Sequence, residues 1–460
     1  MNLREQLAQV KRKIIEGKIL RTYKAENVGK LGQYRLAELF AVSATNPTAY
    51  ADIMDKLYAQ RQKELRDKQR IKVAFVLYSA SMWSCDDLYQ MFESDDRFVP
   101  YVAVCKYTNE SNKQTWPTYT QSLAFFAEKG YQIQKVADDT PKNRGWQALG
   151  EPDVVFYLTP YHTLLPVGVN QGYLPGKVLT IYIPYSYMLI GAAPAHLPGF
   201  AYSWKHYCDS QIYKRILLEY DPLFANNTYF VGYPKMDAFF EPCEKDPAEL
   251  WKLTGEGQKK IIYAPHHSLK DLEYCASHFA TFDKNGQFIL ELAKKYPQTS
   301  WIIKPHPNMK MTVLLAGVFK AEEEYYDYLS KWEALPNAKV VQEGSYVDYF
   351  KTSDAMIGDS VSFLAEYQFT GKPQLLLTRP EQEFNEFGAM VQSVLYKCPG
   401  EDLNGIEAFL NDVVIDGKDT MATVREQFFN ENLNYYKKNG NLKAAKKIFA
   451  ELSAIVSDSI

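Results

Sequence analysis

From residue 71 onward the chain alternates short β-branched apolar runs with segments long and polar enough to be helices, and that alternation does most to limit its fold. The run at 71–78, IKVAFVLY, has a single charged residue. A strand of that composition hides both faces, as in a parallel sheet covered by helices. A polar loop at 79–83 follows, then a helix near 86–92, a strand at 99–105, a helix near 119–129 and a strand at 132–136. Further strands are expected at 153–158, 178–183 and 228–231. After a polar segment at 241–257 a second alternation begins. Its strands are expected at 260–263, 300–303, 339–341, 355–357 and 374–377, with helices at 287–294, 348–352 and 362–370. Strands joined by helical crossovers build doubly wound sheets, whose ligands bind beyond the strand carboxyl ends.

A chain of 460 residues is too long for one core. The expected class is α/β, with two doubly wound Rossmann-like domains at 71–240 and 241–405. A helical appendage over 1–70 precedes them, and C-terminal helices over 406–460 pack back across the domains. Residues 1–72 carry 16 Lys/Arg against 8 Asp/Glu, a local charge of +8, which leaves −11 for the rest of a chain whose net charge is −3. That balance excludes a nucleic-acid binder and allows the appendage to touch an anionic membrane surface. The six cysteines, Cys85, Cys105, Cys208, Cys243, Cys275 and Cys398, form no CxxC pair, which fits reduced thiols in the cytoplasm. No apolar run reaches the ~20 residues that span a bilayer, so any membrane contact is expected to be peripheral.

Three expected strand ends carry chemistry. IIYAPHHS at 261–268 places His266 and His267 just past a strand, where imidazoles offer phosphate contacts or a proton acceptor. WIIKPHP at 301–307 delivers Lys304 and His306 between prolines that stiffen the loop. A cation and an imidazole held rigidly suit a diphosphate leaving group. SDAMIGDSVSFLAEYQFTGKP at 353–373 puts Asp359, Ser360 and Ser362 at a helix start, where free N–H groups attract phosphate. Glu366 lies two turns further on the same face and can accept ribose hydroxyls. The bland readings are N-capping by Asp359 or Ser360 and ordinary structural histidines. No GxGxxG, Walker A, HExxH or GxSxG motif is present, and no His/Cys/Asp group has zinc spacing, so neither cofactor nor metal is expected.

In that order, IIYAPHHS, KPHP and the 353–373 segment resemble the CDP-glycerol glycerophosphotransferase family of teichoic-acid polymerase type. VGYPKMDAF at 231–239 resembles the family's Gly-x-Pro-Arg-x-Asp element, and NGNLKAAKKI at 439–448 its closing element. The resemblance spans roughly residues 150–450. It implies a GT-B fold, with the two domains facing a cleft, the first on the acceptor side and the second holding the nucleotide donor. It also implies a metal-independent transfer of polyol phosphate from a CDP-linked donor to a hydroxyl of a cell-surface polysaccharide or lipid-linked acceptor, at the inner face of the membrane. By motif position the diphosphate falls to His306, Ser360, Ser362 and Asp359, with Lys304 beside them and Glu366 near the ribose. The family's Trp-His-Gly segment, whose histidine serves as acceptor base, is replaced by IYIPYSY at 181–187. His266, His267 and His162 are then the candidates for the base, with Tyr185 and Ser79 on the acceptor side. Ser360–Val361–Ser362 also departs from the family's Tyr-Ser-Ser. Two other readings stay open: a nucleotide-sugar glycosyltransferase or epimerase of the same fold, and a catalytically degenerate binding or scaffold module.

Overall fold

The apolar run after residue 70 is strand β1 (Ile71–Leu77), six of whose seven side chains are buried. The structure is a computed structural model and describes residues 3–107, 116–191, 202–220, 227–269, 278–342 and 345–457. β1 is flanked by β2 (Phe98–Cys105) and β4 (Val154–Tyr157), both parallel to it. With β3 (Ile133–Val136), β5 (Leu179–Tyr182), β6 (Lys205–Cys208) and β7 (Thr228–Phe230) they form a parallel sheet of seven strands in the order β3-β2-β1-β4-β5-β6-β7. Burial on both sheet faces explains why these strands read as continuous apolar runs. Phe75 stacks on Phe156 across the β1–β4 pair with ring centroids 4.9 Å apart.

The first compact unit comprises Met1–Ser186, Ala192–Lys235 and Tyr435–Ile460. The N-terminal helices therefore belong to it. In the helix Pro47–Arg66, the buried residues Tyr50, Ile53, Met54, Leu57 and Leu65 recur at helical spacing. Its hold on the sheet is also ionic. Buried Asp153, just before β4, is paired with Arg61 and with Lys68, whose Nζ lies 2.7 Å from each carboxylate oxygen. At the other end of the chain the helix Ala444–Val456 places Glu451 where it accepts bonds from Lys205 Nζ (2.5 Å) and Tyr207 Oη (2.9 Å).

The second unit comprises Tyr187–Gly191 and Met236–Asn434, so the segment 241–257 and the helical residues 406–434 belong to it. Its strands are β8 (Lys259–Ala264), β9 (Thr299–Ile303), β10 (Ala338–Val340), β11 (Ala355–Gly358), β12 (Gln374–Thr378) and β13 (Tyr396–Pro399). They pair in parallel as β10-β9-β8-β11-β12-β13. This is the doubly wound order 3-2-1-4-5-6, which reverses direction between β8 and β11. Trp301, Trp332, Tyr263 and Tyr328 fill one face of this sheet. On the other face Trp251 is buried, and its indole donates to Thr352 Oγ1 at 2.9 Å. Two strands not anticipated from sequence, β6 and β13, are short; β13 is an edge strand whose alternate residues meet solvent.

Candidate functional site

β8, β9 and β11 are neighbours, and each runs at its carboxyl end into one of the three segments singled out from sequence. Past β8 come Pro265, His266 and His267; past β9 come Lys304, Pro305 and His306; past β11 come Asp359 and Ser360. The switch point of the sheet therefore lies in their midst. The β8 and β9 extensions remain paired: Lys304 N–H donates to the Tyr263 carbonyl at 2.8 Å and His306 N–H to the Pro265 carbonyl at 3.2 Å. This pairing draws three imidazoles together. Ring centroids lie 4.5 Å apart for His266–His267, 5.0 Å for His266–His306 and 4.2 Å for His267–His306.

Asp359 clamps this arrangement. Its Oδ1 accepts from His266 N–H at 2.7 Å, and its Oδ2 accepts from Thr281 N–H at 2.6 Å and Thr281 Oγ1–H at 2.7 Å. The carboxylate is buried, and burial pushes its pKa up to about 6 against the pull of these donors. Both oxygens thus hold the chain together. Gly358 is required beside it, because a Cβ there would lie 2.3 Å from the Ala264 carbonyl oxygen across the β8–β11 pair.

Backbone donors assign the tautomers of two rings. Ser268 N–H points at His266 Nδ1 (3.3 Å), and Ser268 Oγ, which accepts from Phe279 N–H (3.1 Å), lies 2.7 Å from the same nitrogen. Asn308 N–H donates to His306 Nδ1 at 3.1 Å. A nitrogen that accepts carries the lone pair, so in both rings the proton sits on Nε2. His267 differs: its Nδ1 is buried and receives no hydrogen bond. All three rings are held neutral, chiefly by burial. His267 is lowered to about 4 by burial alone. His266 falls well below the usual range through burial, then His306 and His267; His306 does so through burial, then His267 and Lys304.

Ring nitrogens of the three histidines lie within 4.8 Å of one another, close enough to hold a metal ion. Sequence spacing carries no hint of this, since His267 and His306 come from different loops. The hydrogen bonds oppose it: Nε2 ligation needs the lone pair on the nitrogen that bears the proton in His266 and His306. With the proton on Nε2, those rings offer hydrogen-bond donors, which suit an anion.

Ser360 stands at the N-cap of the helix Val361–Glu366 and its side chain makes no capping bond; Ser362 is half-buried in the first turn. Buried Glu366 accepts the Tyr346 hydroxyl, and the Lys304 ammonium lies 5.9 Å from the centre of the Tyr346 ring. Ser268, Thr281, Asn308 and Tyr346 were not expected from sequence. Each acts by holding another group, and no motif marks that role.

The remaining expected residues lie in the first unit. Ser79 follows β1, and its Oγ accepts Ser81 N–H at 3.3 Å. Tyr185 follows β5, donates to Tyr161 Oη at 3.1 Å and accepts the Tyr233 hydroxyl at its carbonyl. His162 opens the short turn His162–Leu164, and its side chain lies outside the described residues.

A family model described as CDP-glycerol:poly(glycerophosphate) glycerophosphotransferase matches residues 201–451. No curated protein matches the chain. Among solved structures, the wall teichoic acid polymerase TagF aligns with a TM-score of 0.54 at 12% identity, over 97% of this chain and 98% of that one. UDP-GlcNAc 2-epimerase from Neisseria meningitidis, bound to UDP-GlcNAc, aligns at 0.51 and 15% identity, over 84% and 99%. MnaA from S. aureus with UDP aligns at 0.50 and 14%, over 77% and 91%. Identities this low speak for the fold alone, which is the GT-B-like α/β fold expected from sequence.

Proposed function

Since the chain belongs to the CDP-glycerol:poly(glycerophosphate) glycerophosphotransferase family, we propose that it transfers a polyol phosphate, glycerol phosphate or a close relative, from a CDP-linked donor to a hydroxyl of a cell-surface polysaccharide or teichoic-acid-like acceptor. The observation that carries this reading is the grouping of two Nε2–H donors, His266 and His306, with Lys304 at a sheet switch point. Donors held in place before charge develops stabilise an anionic leaving group without reorganisation, which favours a nucleotide diphosphate there. Ser360 and Ser362 add hydroxyls to the phosphates. Glu366, with Tyr346 on one oxygen, faces the ribose. Asp359 holds the His266 segment instead of touching the donor. The transfer needs no metal, because imidazole and ammonium groups supply the charge stabilisation.

The acceptor meets the first unit, near Ser79, Tyr185 and His162. Burial pushes the Tyr185 phenol well above its ordinary range, then Tyr161 adds to the shift, so this phenol is a hydrogen-bonding group and no base at neutral pH. No helix among the described residues is long and apolar enough to cross a membrane. The basic helices of residues 1–70 are proposed to touch anionic lipid at the inner membrane face, where a lipid-linked acceptor would lie.

Phosphorus NMR of a reaction with CDP-glycerol and a glycan acceptor tests the reading. A new phosphodiester and free CMP are expected, and His306→Ala should reduce turnover by at least about 10²-fold while the fold survives. A glycoside or an epimer formed from a UDP-sugar would replace this reading with a sugar-transfer or epimerase one. No binding of CDP, UDP or CMP in calorimetry would leave a scaffold.

A further inference from the structure

We propose that the first unit binds a neutral, polyhydroxylated chain, a glycan or polyol, on a row of tyrosines at the carboxyl ends of four neighbouring strands. Tyr107 follows β2, Tyr78 follows β1, Tyr161 follows β4 and Tyr185 follows β5, and these strands are adjacent in the order β2-β1-β4-β5. The sheet reverses direction between β1 and β4, so the row lies across its switch point, where doubly wound sheets take their ligands. That this ligand is the acceptor of the transfer rests on the function proposed above.

The row is continuous. The rings of Tyr107 and Tyr78 meet edge to face with centroids 5.3 Å apart. Those of Tyr161 and Tyr185 lie 6.1 Å apart, and their hydroxyls are joined at 3.1 Å. Tyr78 links the two pairs: burial pushes its phenol well above the ordinary range, and Tyr161 and then Tyr107 add to the shift. All four residues are half-buried, held by packing and still reached by solvent. A phenol in that setting offers an apolar ring together with a hydroxyl that both gives and takes hydrogen bonds. Sugars and polyols present the matching surfaces, C–H groups and hydroxyls. Beside Tyr78, the hydroxyls of Ser79 and Ser81 stand 2.8 Å apart.

The charge around the row favours a neutral ligand over a nucleotide or a phosphate polymer. A sheet that binds phosphate uses the start of the helix after its first strand, with glycines that let the backbone approach. Here that helix, Asp86–Glu93, opens on the carboxylates of Asp86 and Asp87. No glycine stands between β1 and that helix. Lys106, the residue before Tyr107, lies 4.0 Å from the Asp138 carboxylate. The corresponding place in the second unit has the opposite character, with Lys304 and three imidazoles.

Maltotetraose, cellotetraose and chitotetraose, added to the full chain in calorimetry and saturation-transfer NMR, test the site. At least one should bind. Tyr107→Ala and Tyr161→Ala should each weaken that binding about tenfold or more, and Tyr161→Phe only a few-fold because the ring stays. Tyr326→Ala, which removes an exposed tyrosine of the second unit, should leave it unchanged. CDP affinity and the thermal midpoint, recorded for every variant, should stay near wild type, which a collapse of the fold would not allow. Failure of all three tetrasaccharides to bind, equal binding by Tyr107→Ala and Tyr161→Ala, or displacement of the sugar by CDP or by sulfated dextran would overturn the proposal. In a transfer assay with CDP-glycerol, the two alanine variants should raise acceptor KM about tenfold at constant donor KM. If wild type transfers and acceptor KM does not move, this inference alone fails. If wild type transfers nothing from CDP-linked donors while the variants still lose the sugar, the proposed function fails and the glycan site stands.

Discussion

Asp359 looks in sequence like a helix cap or a phosphate neighbour, and in the fold it is a clamp. Two oxygens serve three donors on two other segments, at His266 and Thr281. Asp359→Asn keeps the shape but turns an amide N–H₂ toward at least one of those donors. Bonds to a buried charged group are worth about 1.5–3 kcal/mol each, and an unsatisfied donor costs further, so a loss of roughly 2–4 kcal/mol is expected from urea unfolding. Turnover should fall along with stability, since the His266 segment loses its anchor. Stability loss with unchanged turnover would show that the clamp does not orient the site. The Tyr346–Glu366 pair offers a cleaner separation. Tyr346→Phe leaves a buried carboxylate without its phenol partner, and an order of about 1–3 kcal/mol is expected from that alone. If Glu366 also holds the ribose, nucleotide affinity measured by calorimetry should move in Glu366→Gln far more than in Tyr346→Phe.

At the scale of elements, the site depends on β8 and β11 lying close enough for their loops to meet. Gly358→Ala would push a methyl to 2.3 Å from a backbone carbonyl that cannot rotate away. Overpacking of this kind costs about 1–3 kcal/mol or more, and the strands must part where the imidazoles converge. Both the thermal midpoint and nucleotide affinity should therefore fall. Gly371→Ala is the control: its φ of +68° strains an alanine, but nothing lies within 4 Å of the new Cβ, so stability should drop and nucleotide affinity should not. Such elements were legible to the extent that their residues carried pattern. The runs at β1, β8 and β9 are apolar on both faces and announce buried parallel strands, and the loops after β8, β9 and β11 stand out because charged and imidazole groups follow them at once. Strand β6 (KHYC) opens on a lysine and a histidine, and β13 wets alternate residues, so neither reads as a strand. The hydrogen bonds that set the tautomers were beyond reach for another reason. They come from backbone N–H groups at Ser268 and Asn308, and a backbone donor has no sequence signature.

Acid stability belongs to the whole chain, because buried imidazoles occupy both units: His206 in the first, His266, His267 and His306 in the second. Burial lowers His206 to about 3 and His267 to about 4, and lowers the other two well below 6.5. As pH falls below 6.5 the unfolded chain binds protons that the folded chain refuses, so folding weakens, and the loss continues down to the folded values. Asp359 works the other way. Its folded value of about 6 exceeds its ordinary 3.8, so the folded chain takes that proton first and gains stability as pH falls between the two. One carboxyl does not offset four imidazoles. The urea midpoint should drop between pH 6.5 and 4.5, because the protons that the folded rings refuse outnumber the one that Asp359 takes early. Nucleotide distinguishes the two contributions. An anionic diphosphate among the second-unit rings raises their pKa values and adds binding free energy to the folded state, so saturating CDP should flatten the acid limb. It should not abolish that limb, because His206 sits on the other sheet and keeps its share. A curve unaffected by CDP, from a protein shown by calorimetry to bind it, would mean that the phosphates rest away from the three imidazoles.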